Sequence, residues 1–119
     1  TGTGYAPEGG FEAGGAPVTA DPGSVLADLA RAAAACNDAA LLRGETGWAV
    51  SGDPMEGALL TFAAKAGVDL GALPGEWPRL DEIPFDARHR SMTTLHALPG
   101  GERLAVLKGA PERVLDLCT

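Results

Sequence analysis

The sequence predicts an α+β fold, in which helices flank a mostly antiparallel β-sheet. The first observation behind this prediction is a β-branched, partly alternating segment, residues 91–98, which a Gly-containing turn joins to a second strand, residues 103–108. The second is a pair of apolar repeats at helical spacing in the first half of the chain, each preceded by helix-start residues. Helices that precede a hairpin are typical of helices packed on an antiparallel sheet.

Length and composition favour one domain over residues 1–119. At 119 residues and 45% hydrophobic, the chain can bury one core. No apolar run approaches the roughly 20 residues of a membrane helix, and no signal-like leader opens the sequence, so we expect a soluble segment. Cys36 and Cys118 have neither metal-ligand nor disulfide-framework spacing, which suits a reducing compartment.

The charge is negative overall but positive in one region. A net charge of −7 argues against a nucleic-acid-binding surface, because affinity for phosphate backbones comes from clustered Lys and Arg. Residues 1–85 carry 4 Lys and Arg against 12 Asp and Glu, whereas residues 86–113 carry 5 against 3. This locally positive region is compatible with a small polyphosphate ligand.

The first half of the chain predicts a linker and two helices. Residues 1–20 are Gly-rich and have the composition of a linker. Residues 21–24 offer helix-start chemistry before an apolar repeat, and the helix should end between Asn37 and Gly44. The members of the repeat are Val25, Leu26, Leu29, Ala32, Ala33 and Cys36.

A short segment with strand character, residues 46–50, precedes the second helix. Asp53 can cap that helix, Pro54 suits its first position, and Gly67 ends it. The predicted apolar face consists of Met55, Leu59, Phe62, Ala63 and Ala66.

The second half predicts strands and a short helix. A proline-spaced connection, residues 71–78, leads to a strand at residues 82–85 and then to the hairpin at residues 91–108. A last helix begins near Pro111, and we expect it to turn Val114, Leu115 and Cys118 inward.

Several side chains have both a structural and a binding interpretation. Asp53 and Glu56 can form a capping box, or Glu56 can accept a hydrogen bond from an exocyclic amine such as that of adenine. Phe85 can be a core aromatic or a ring that stacks on a purine, and Met92 can fill a core gap or cover a heteroaromatic face.

Lys108 has the weakest structural interpretation. It can be a surface lysine whose stem covers apolar neighbours. However, it precedes Gly109, Ala110 and Pro111, small residues and a helix start that let an anion approach the backbone.

No catalytic set or metal site is predicted. The chain has no Walker-type glycine run before a Lys-Ser or Lys-Thr pair and no Ser/His/Asp arrangement. His89 and His96 are too isolated to be metal ligands.

From about Tyr5 to Cys118, the chain resembles the nucleotide-binding domain of type II, calcium-pump-like P-type ATPases. Each matching segment alone is weak evidence for this family, but the segments occurring together and in this order are specific for it. The segments are residues 5–9 with Phe11, 36–39, 52–59, 83–94 and 108–115.

The resemblance implies a set of ATP-binding roles. Phe85 would stack on adenine, Glu56 would bond its amino group after the Asp53 cap, and Met92 would line the ring. Lys108 would close the base of the pocket, with Gly109 and Ala110 as its floor. The family often has Thr or Ser where Met55 stands, Ser or Arg where Ala87 stands, and a fixed positive charge where His89 stands. A side-chain contact to the phosphates would therefore be lost or pass to Arg88 or Arg90.

The resemblance also implies a larger protein around this segment. It would be a cytosolic domain of an ATP-driven cation translocase in the cell membrane, with Mg-ATP as cofactor and phosphorylation and actuator domains as partners. The phosphorylation motif, Asp followed by Lys-Thr-Gly-Thr, does not occur in residues 1–119, so we expect binding without catalysis and no magnesium site in this segment. The family domain continues beyond the matched residues, which predicts a C-terminal truncation and an exposed sheet edge able to pair with a second copy. The alternatives are a scaffold that has lost ATP affinity and a soluble hydrolase, the latter disfavoured because no base–nucleophile pair can be named.

Overall fold

The structure is a computed structural model that describes residues 1–118. It comprises two compact units, residues 1–70 and the residues from Gly71 onward. Antiparallel strands and helices occur in both units, so the predicted α+β class is confirmed. The strands of the described residues form three separate antiparallel sheets rather than one. The prediction of a single domain over residues 1–119 stays a prediction.

The first unit begins with a small hairpin, β1 (Phe11–Ala13) and β2 (Ala16–Val18). Gly14 and Gly15 join the strands at φ values of 60° and 81°, a backbone conformation that favours glycine. The Phe11 ring packs edge-on against Phe62, with ring centroids 5.6 Å apart. The linker prediction is therefore wrong for residues 11–18, because Gly14 and Gly15 make a tight turn and the Phe11 ring is anchored on Phe62.

Helix α1 spans Val25–Ala35. The Ser24 Oγ caps it by accepting the Ala27 N–H at 3.1 Å, as the helix-start residues predicted. Ala30, Ala35 and Cys36 are buried, whereas Val25 and Leu29 are exposed. Two small residues of the helix are therefore buried, whereas Val25 and Leu29 lie at the surface and Leu26 is half-buried.

A second hairpin follows, formed by β3 (Ala40–Gly44) and β4 (Gly47–Ser51). The strand character of residues 46–50 is confirmed, and Leu41 faces Val50 in the register. Strand β3 was not predicted from the sequence, which indicated only a fraying or turning helix end there. Pairing with β4 supplies the backbone hydrogen bonds that the short segment lacks by itself.

Helix α2 spans Pro54–Lys65 and has the predicted Asp53 cap. Its buried residues are Gly57, Leu60, Thr61 and Ala63. Met55 is 63% exposed, so its assignment to the apolar face is wrong. At about 100° per residue, Met55 lies on the side of the helix opposite Gly57.

Gly57 lets α2 approach β4 closely. A Cβ atom built on Gly57 would lie 2.3 Å from Cγ2 of Val50, well inside van der Waals contact. A glycine at this position is therefore a packing requirement, and it fixes how the start of α2 sits on the second hairpin.

The second unit contains a one-turn helix, a three-stranded sheet and a C-terminal helix. These elements are α3 (Leu73–Glu76), β5 (Arg79–Asp86), β6 (Ser91–Ala97), β7 (Arg103–Gly109) and α4 (Pro111–Leu117). The strand order is β5-β6-β7, with β6 central, and the predicted hairpin of residues 91–108 is confirmed. Helix α3 was not predicted, since only a connection was expected between residues 71 and 78.

The β5–β6 register shifts twice. The second shift lies between the pairs Ile83↔Thr93 and Asp86↔Ser91, so that Pro84 and Phe85 on β5 face the single residue Met92 on β6. A proline lacks the N–H that a regular ladder needs, and a bulge at an edge strand accommodates it.

One row of β6 side chains is buried and partly polar. Met92, Thr94 and His96 alternate along the strand, each no more than 4% exposed. His96 Nδ1 lies 3.0 Å from the Trp77 carbonyl oxygen and Nε2 lies 2.7 Å from the Thr94 Oγ. Because a carbonyl only accepts, Nδ1 of the neutral ring carries the proton and Nε2 accepts from Thr94.

Helix α4 begins at Pro111 as predicted, but it buries none of its residues fully. Leu115 is 70% exposed and Cys118 is also exposed, so the prediction that both turn inward is wrong; only Val114 of the three is half-buried. A helix of 7 residues offers about two turns, and packing one side leaves the remaining positions in solvent. Among residues 1–118, no helix has the length and apolar character needed to cross a membrane.

Candidate functional site

In the first unit, Glu56 ties the start of α2 to the end of α1. Its Oε2 accepts the Asp38 N–H at 2.8 Å, and its carbonyl oxygen accepts the Asn37 side-chain amide at 2.9 Å. Asn37, only 8% exposed, in turn accepts the Ala39 N–H at 2.9 Å. The predicted residue therefore lies in a network that also holds the chain leaving α1.

The Asp53 carboxylate holds the backbone of Glu56 at the start of α2. Its Oδ2 accepts the Glu56 N–H at 2.9 Å, which is the Asp half of the capping box. The Glu56 carboxylate accepts from Asp38, outside the cap, and an ionised carboxylate offers about four acceptor positions. The capping-box and ligand-binding interpretations of Glu56 therefore both stay open.

In the second unit, the central strand brings two predicted site residues face to face. Met92 on β6 is the register partner of Lys108 on β7, and Ser91 is the partner of Gly109. Directly opposed residues of an antiparallel pair have Cβ atoms about 4.5–5.5 Å apart on one face of the sheet. Met92 is buried and Lys108 is half-buried.

Phe85 completes this row from β5. The bulge places Phe85 and Pro84 opposite Met92, so the three strands carry Phe85, Met92 and Lys108 at the same level of the sheet. The Phe85 side chain is 63% exposed, and the interpretation of Phe85 as a core aromatic is therefore wrong. Met92 is 4% exposed, as a residue that fills a core gap would be.

Arg90 is locked to the segment that contains Gly109 and Ala110. Its backbone has φ 53°, and its carbonyl oxygen accepts the Ala110 N–H at 3.0 Å. A Cβ on Gly109 would lie 2.4 Å from that same oxygen, which explains why glycine follows Lys108. The Arg90 guanidinium forms an ion pair with the Glu112 carboxylate.

The β5–β6 loop is held by Asp86. Its carbonyl oxygen accepts the N–H groups of His89 and Arg90, and its carboxylate accepts the Arg88 N–H at 2.7 Å and the Arg88 guanidinium at 3.1 Å. Hydrogen bonds from the Arg88 side chain, and then from its backbone, hold the pKa of Asp86 below its ordinary value of 3.8, and desolvation opposes them. Both arginines of the loop are thus paired with carboxylates of their own unit.

The predicted residues are divided between the units. The second unit brings six of them together on the sheet and its adjoining loop, and the first unit holds the other two, Asp53 and Glu56. The six are Phe85, Arg90, Met92, Lys108, Gly109 and Ala110. Among residues 1–118, no three His, Cys, Asp or Glu side chains are grouped closely enough to hold a metal ion.

Sequence reasoning missed the contacts that join distant positions. Asp38 and Glu112 lie in motifs that the sequence analysis quoted, yet no role followed from their spacing. Glu112 is 22 residues from its partner Arg90, and Asp38 is 18 residues from Glu56. One signal for the Arg90–Glu112 pair was available in the sequence. The loop of residues 87–90 is basic, and Glu112 is the single acid of residues 108–115.

Comparison with known proteins decides the family. The sequence profile described as "P-type ATPase, cytoplasmic domain N" matches residues 25–119. The chain belongs to this family. The resemblance that the motifs indicated is therefore confirmed.

The relatives extend the match over almost the whole chain. A probable cation-transporting ATPase F of Mycobacterium tuberculosis is 44% identical over 99% of the chain. A calcium-transporting ATPase of Bacillus subtilis is 30% identical over 97% of it, and a sodium/potassium-transporting ATPase subunit of Oreochromis mossambicus is 34% identical over 77%. The chain spans only 13%, 13% and 10% of the length of these three relatives. It therefore corresponds to a short segment of these much larger proteins.

Proposed function

We propose that this N domain binds ATP, adenine first, and presents it to a phosphorylation domain of a cation-transporting P-type ATPase. The observation that carries the proposal is the row of Phe85, Met92 and Lys108 across the three strands of the second unit. An exposed aromatic ring, a thioether and a cation at one level of a sheet provide stacking, apolar and electrostatic contacts.

Phe85 is the adenine-stacking residue in this proposal. Its large apolar ring is 63% exposed, so it is accessible to a base. The bulge holds the ring on a strand rather than on a flexible loop, so little ordering is required when a base stacks on it.

Lys108, Gly109 and Ala110 form the base of the adenosine site. The Arg90 carbonyl fixes this segment through Ala110, and the absence of a side chain at Gly109 is needed for that approach. Arg90 extends the site toward the phosphates because Ala87 offers no polar side chain.

Glu56 accepts the adenine amino group, and Asp53 supports it as the helix cap. The carboxylate accepts the Asp38 N–H, and the Asp53 carboxylate accepts the Glu56 N–H. An acceptor for the exocyclic amine would favour adenine over guanine, which has a carbonyl oxygen at the equivalent position.

The chain contributes binding and positioning, and the chemistry belongs to the whole ATPase. Mg-ATP is the cofactor we propose, and the phosphoryl group passes to an aspartate in the phosphorylation domain. The actuator domain is a further partner. The N domain formed by this chain lies on the cytosolic side of the cell membrane. Pairing of two copies through a sheet edge is a secondary proposal, since β5 and β7 are the outer strands of their sheet.

One observation favours the alternative of a scaffold without ATP affinity. Met92 is only 4% exposed, so little of its thioether is available to a ring. The departures at Met55, Ala87 and His89 point in the same direction, because they remove polar or charged groups that the family often has.

Calorimetric titration of the chain with ATP, ADP and GTP separates the two proposals. We expect weak binding with adenine preferred over guanine, and weaker ATP binding by a Lys108→Ala variant. A Lys65→Ala variant is the matched control, since it removes the same charge from the first unit. Absence of ATP binding at millimolar concentration would support the scaffold, and unchanged ATP affinity in Lys108→Ala would contradict the role of that lysine.

A further inference from the structure

The geometry points to Glu112 as a residue that competes with nucleotide phosphates for Arg90, and so sets how strongly the site distinguishes ATP from adenosine. This inference rests on the proposed ATP-binding function. It adds a specificity-determining residue whose side chain opposes the ligand rather than binding it.

The Arg90 side chain is the movable part of an otherwise fixed residue. Its N–H donates to the Asp86 carbonyl at 2.7 Å and its own carbonyl accepts from Ala110 at 3.0 Å. Its side chain is 53% exposed and the Glu112 side chain 60% exposed, so both ends of the ion pair are open to solvent. A ligand can therefore reach the guanidinium without disturbing the backbone that shapes the site.

A carboxylate and a phosphate are alternative partners for one guanidinium. Both present paired oxygens that match the planar N–H groups of arginine. A phosphate that approaches Arg90 must displace Glu112 or share the cation with it, and sharing brings two anions close together. Adenosine carries no phosphate, so its binding is indifferent to this competition.

Arg88 provides a contrast within the same loop. Its partner Asp86 is two residues away and accepts three hydrogen bonds from it, one of them from the backbone. Arg90 instead reaches across to α4, and its partner lies two residues after Ala110 in the predicted binding segment. The Arg90–Glu112 ion pair therefore links the loop to that segment through side chains.

The test compares ATP and adenosine binding in matched variants of the whole chain. Glu112→Gln removes the competing charge with little change of shape. Glu102→Gln removes the same charge from the exposed β6–β7 turn and is the control for net charge. Because exposed ion pairs contribute about 0.2–1 kcal/mol, we expect Glu112→Gln to strengthen ATP binding about 1.5- to 5-fold. Its adenosine affinity and the ATP-to-adenosine ratio of Glu102→Gln should stay at the parent values.

A double-mutant comparison assigns the effect to Arg90. Arg90→Gln should weaken ATP binding, and adding Glu112→Gln to it should then change nothing. Thermal unfolding of each variant checks that the fold is retained, and Glu112→Ala carries the same expectation if the glutamine variant unfolds.

The inference is overturned if Glu112→Gln leaves the ATP-to-adenosine ratio unchanged or lowers it while the parent chain binds both ligands. It is also overturned if the gain persists in the Arg90→Gln background. Failure of the parent chain to bind either ligand contradicts the proposed function itself, which is a distinguishable result.

Discussion

Met92 on β6 and Lys108 on β7 are direct register partners, and Phe85 faces Met92 from β5. A buried thioether thus lies between an exposed aromatic ring and a half-buried lysine. The central strand positions all three, so the proposed adenosine site depends on strand register rather than on a flexible loop.

Replacing Phe85 by alanine should separate binding from stability. Base–aromatic stacking contributes about 1–3 kcal/mol, so we expect ATP affinity to fall about 5- to 150-fold. The free energy of unfolding should change by only about 0.5 kcal/mol, because the side chain is exposed. Calorimetry and denaturant unfolding measure the two quantities.

Leu80→Ala is the matched control for Phe85. Leu80 is a 50% exposed apolar residue on the same strand, near the other end of β5. Equal losses of ATP affinity in both variants would mean that β5 rather than the Phe85 ring matters.

Gly57→Ala should destabilise the first unit. The added Cβ would lie 2.3 Å from Val50 Cγ2, so either the hairpin or the helix must shift. Overpacking of this kind costs about 1–3 kcal/mol, more than the helix propensity that alanine gains. Gly75→Ala is the control, because a Cβ there meets nothing within 4 Å and the residue is also helical. A Gly57→Ala variant as stable as Gly75→Ala would refute the close approach of α2 and β4.

Thr94→Val should reveal the buried polar pair of the second unit. The change keeps the shape but removes the hydroxyl that donates to His96 Nε2, and an unsatisfied buried acceptor costs about 1–3 kcal/mol. Thr93→Val on the same strand is the control, since Thr93 is half-buried and lies on the other face. Loss of stability in denaturant unfolding should be confined to the Thr94 variant, and an equal loss in both would indicate a general strand effect.

Stability should depend on pH through Asp86. Its pKa in the folded chain is lowered from 3.8 by the Arg88 hydrogen bonds, so the carboxylate contributes stability above the unfolded pKa. That contribution is lost as the pH falls below 3.8 through the folded pKa. In an NMR titration of the carboxyl carbons, Arg88→Gln should raise the pKa of Asp86 toward its ordinary value. An Asp86 pKa that does not respond to Arg88→Gln would contradict the cause assigned here.

Local signals predicted those elements whose determinants lie close in sequence. The Asp53 cap with Pro54 at the first helical position, and the turn of residues 99–102 between alternating strands, needed no distant partner. Strand β3 pairs with β4 across the two-residue turn Glu45–Thr46, which lacks the Asn-Gly or Asp-Gly sequence typical of such turns. The anchoring of Phe11 depends on Phe62, about fifty residues away. Neither feature has a strong local pattern, which is why a helix end and a linker were expected there.

The candidate site likewise has features that the sequence predicted and features that it did not. The roles suggested for Lys108 and Phe85 came from motifs, and the exposure of Phe85 agrees with a binding role better than with a core one. The contacts of Glu56 with Asp38, and of Arg90 with Glu112, join segments whose approach only the fold determines.

The central claim is that ATP docks on the row of Phe85, Met92 and Lys108. The most direct measurement follows the backbone amide shifts of the chain during titration with ATP. We predict saturable shifts at Phe85, Met92 and residues 108–110, with GTP producing smaller ones at equal concentration. Saturable ATP binding whose shifts lie elsewhere, or no shifts at these residues up to millimolar ATP, would contradict the claim.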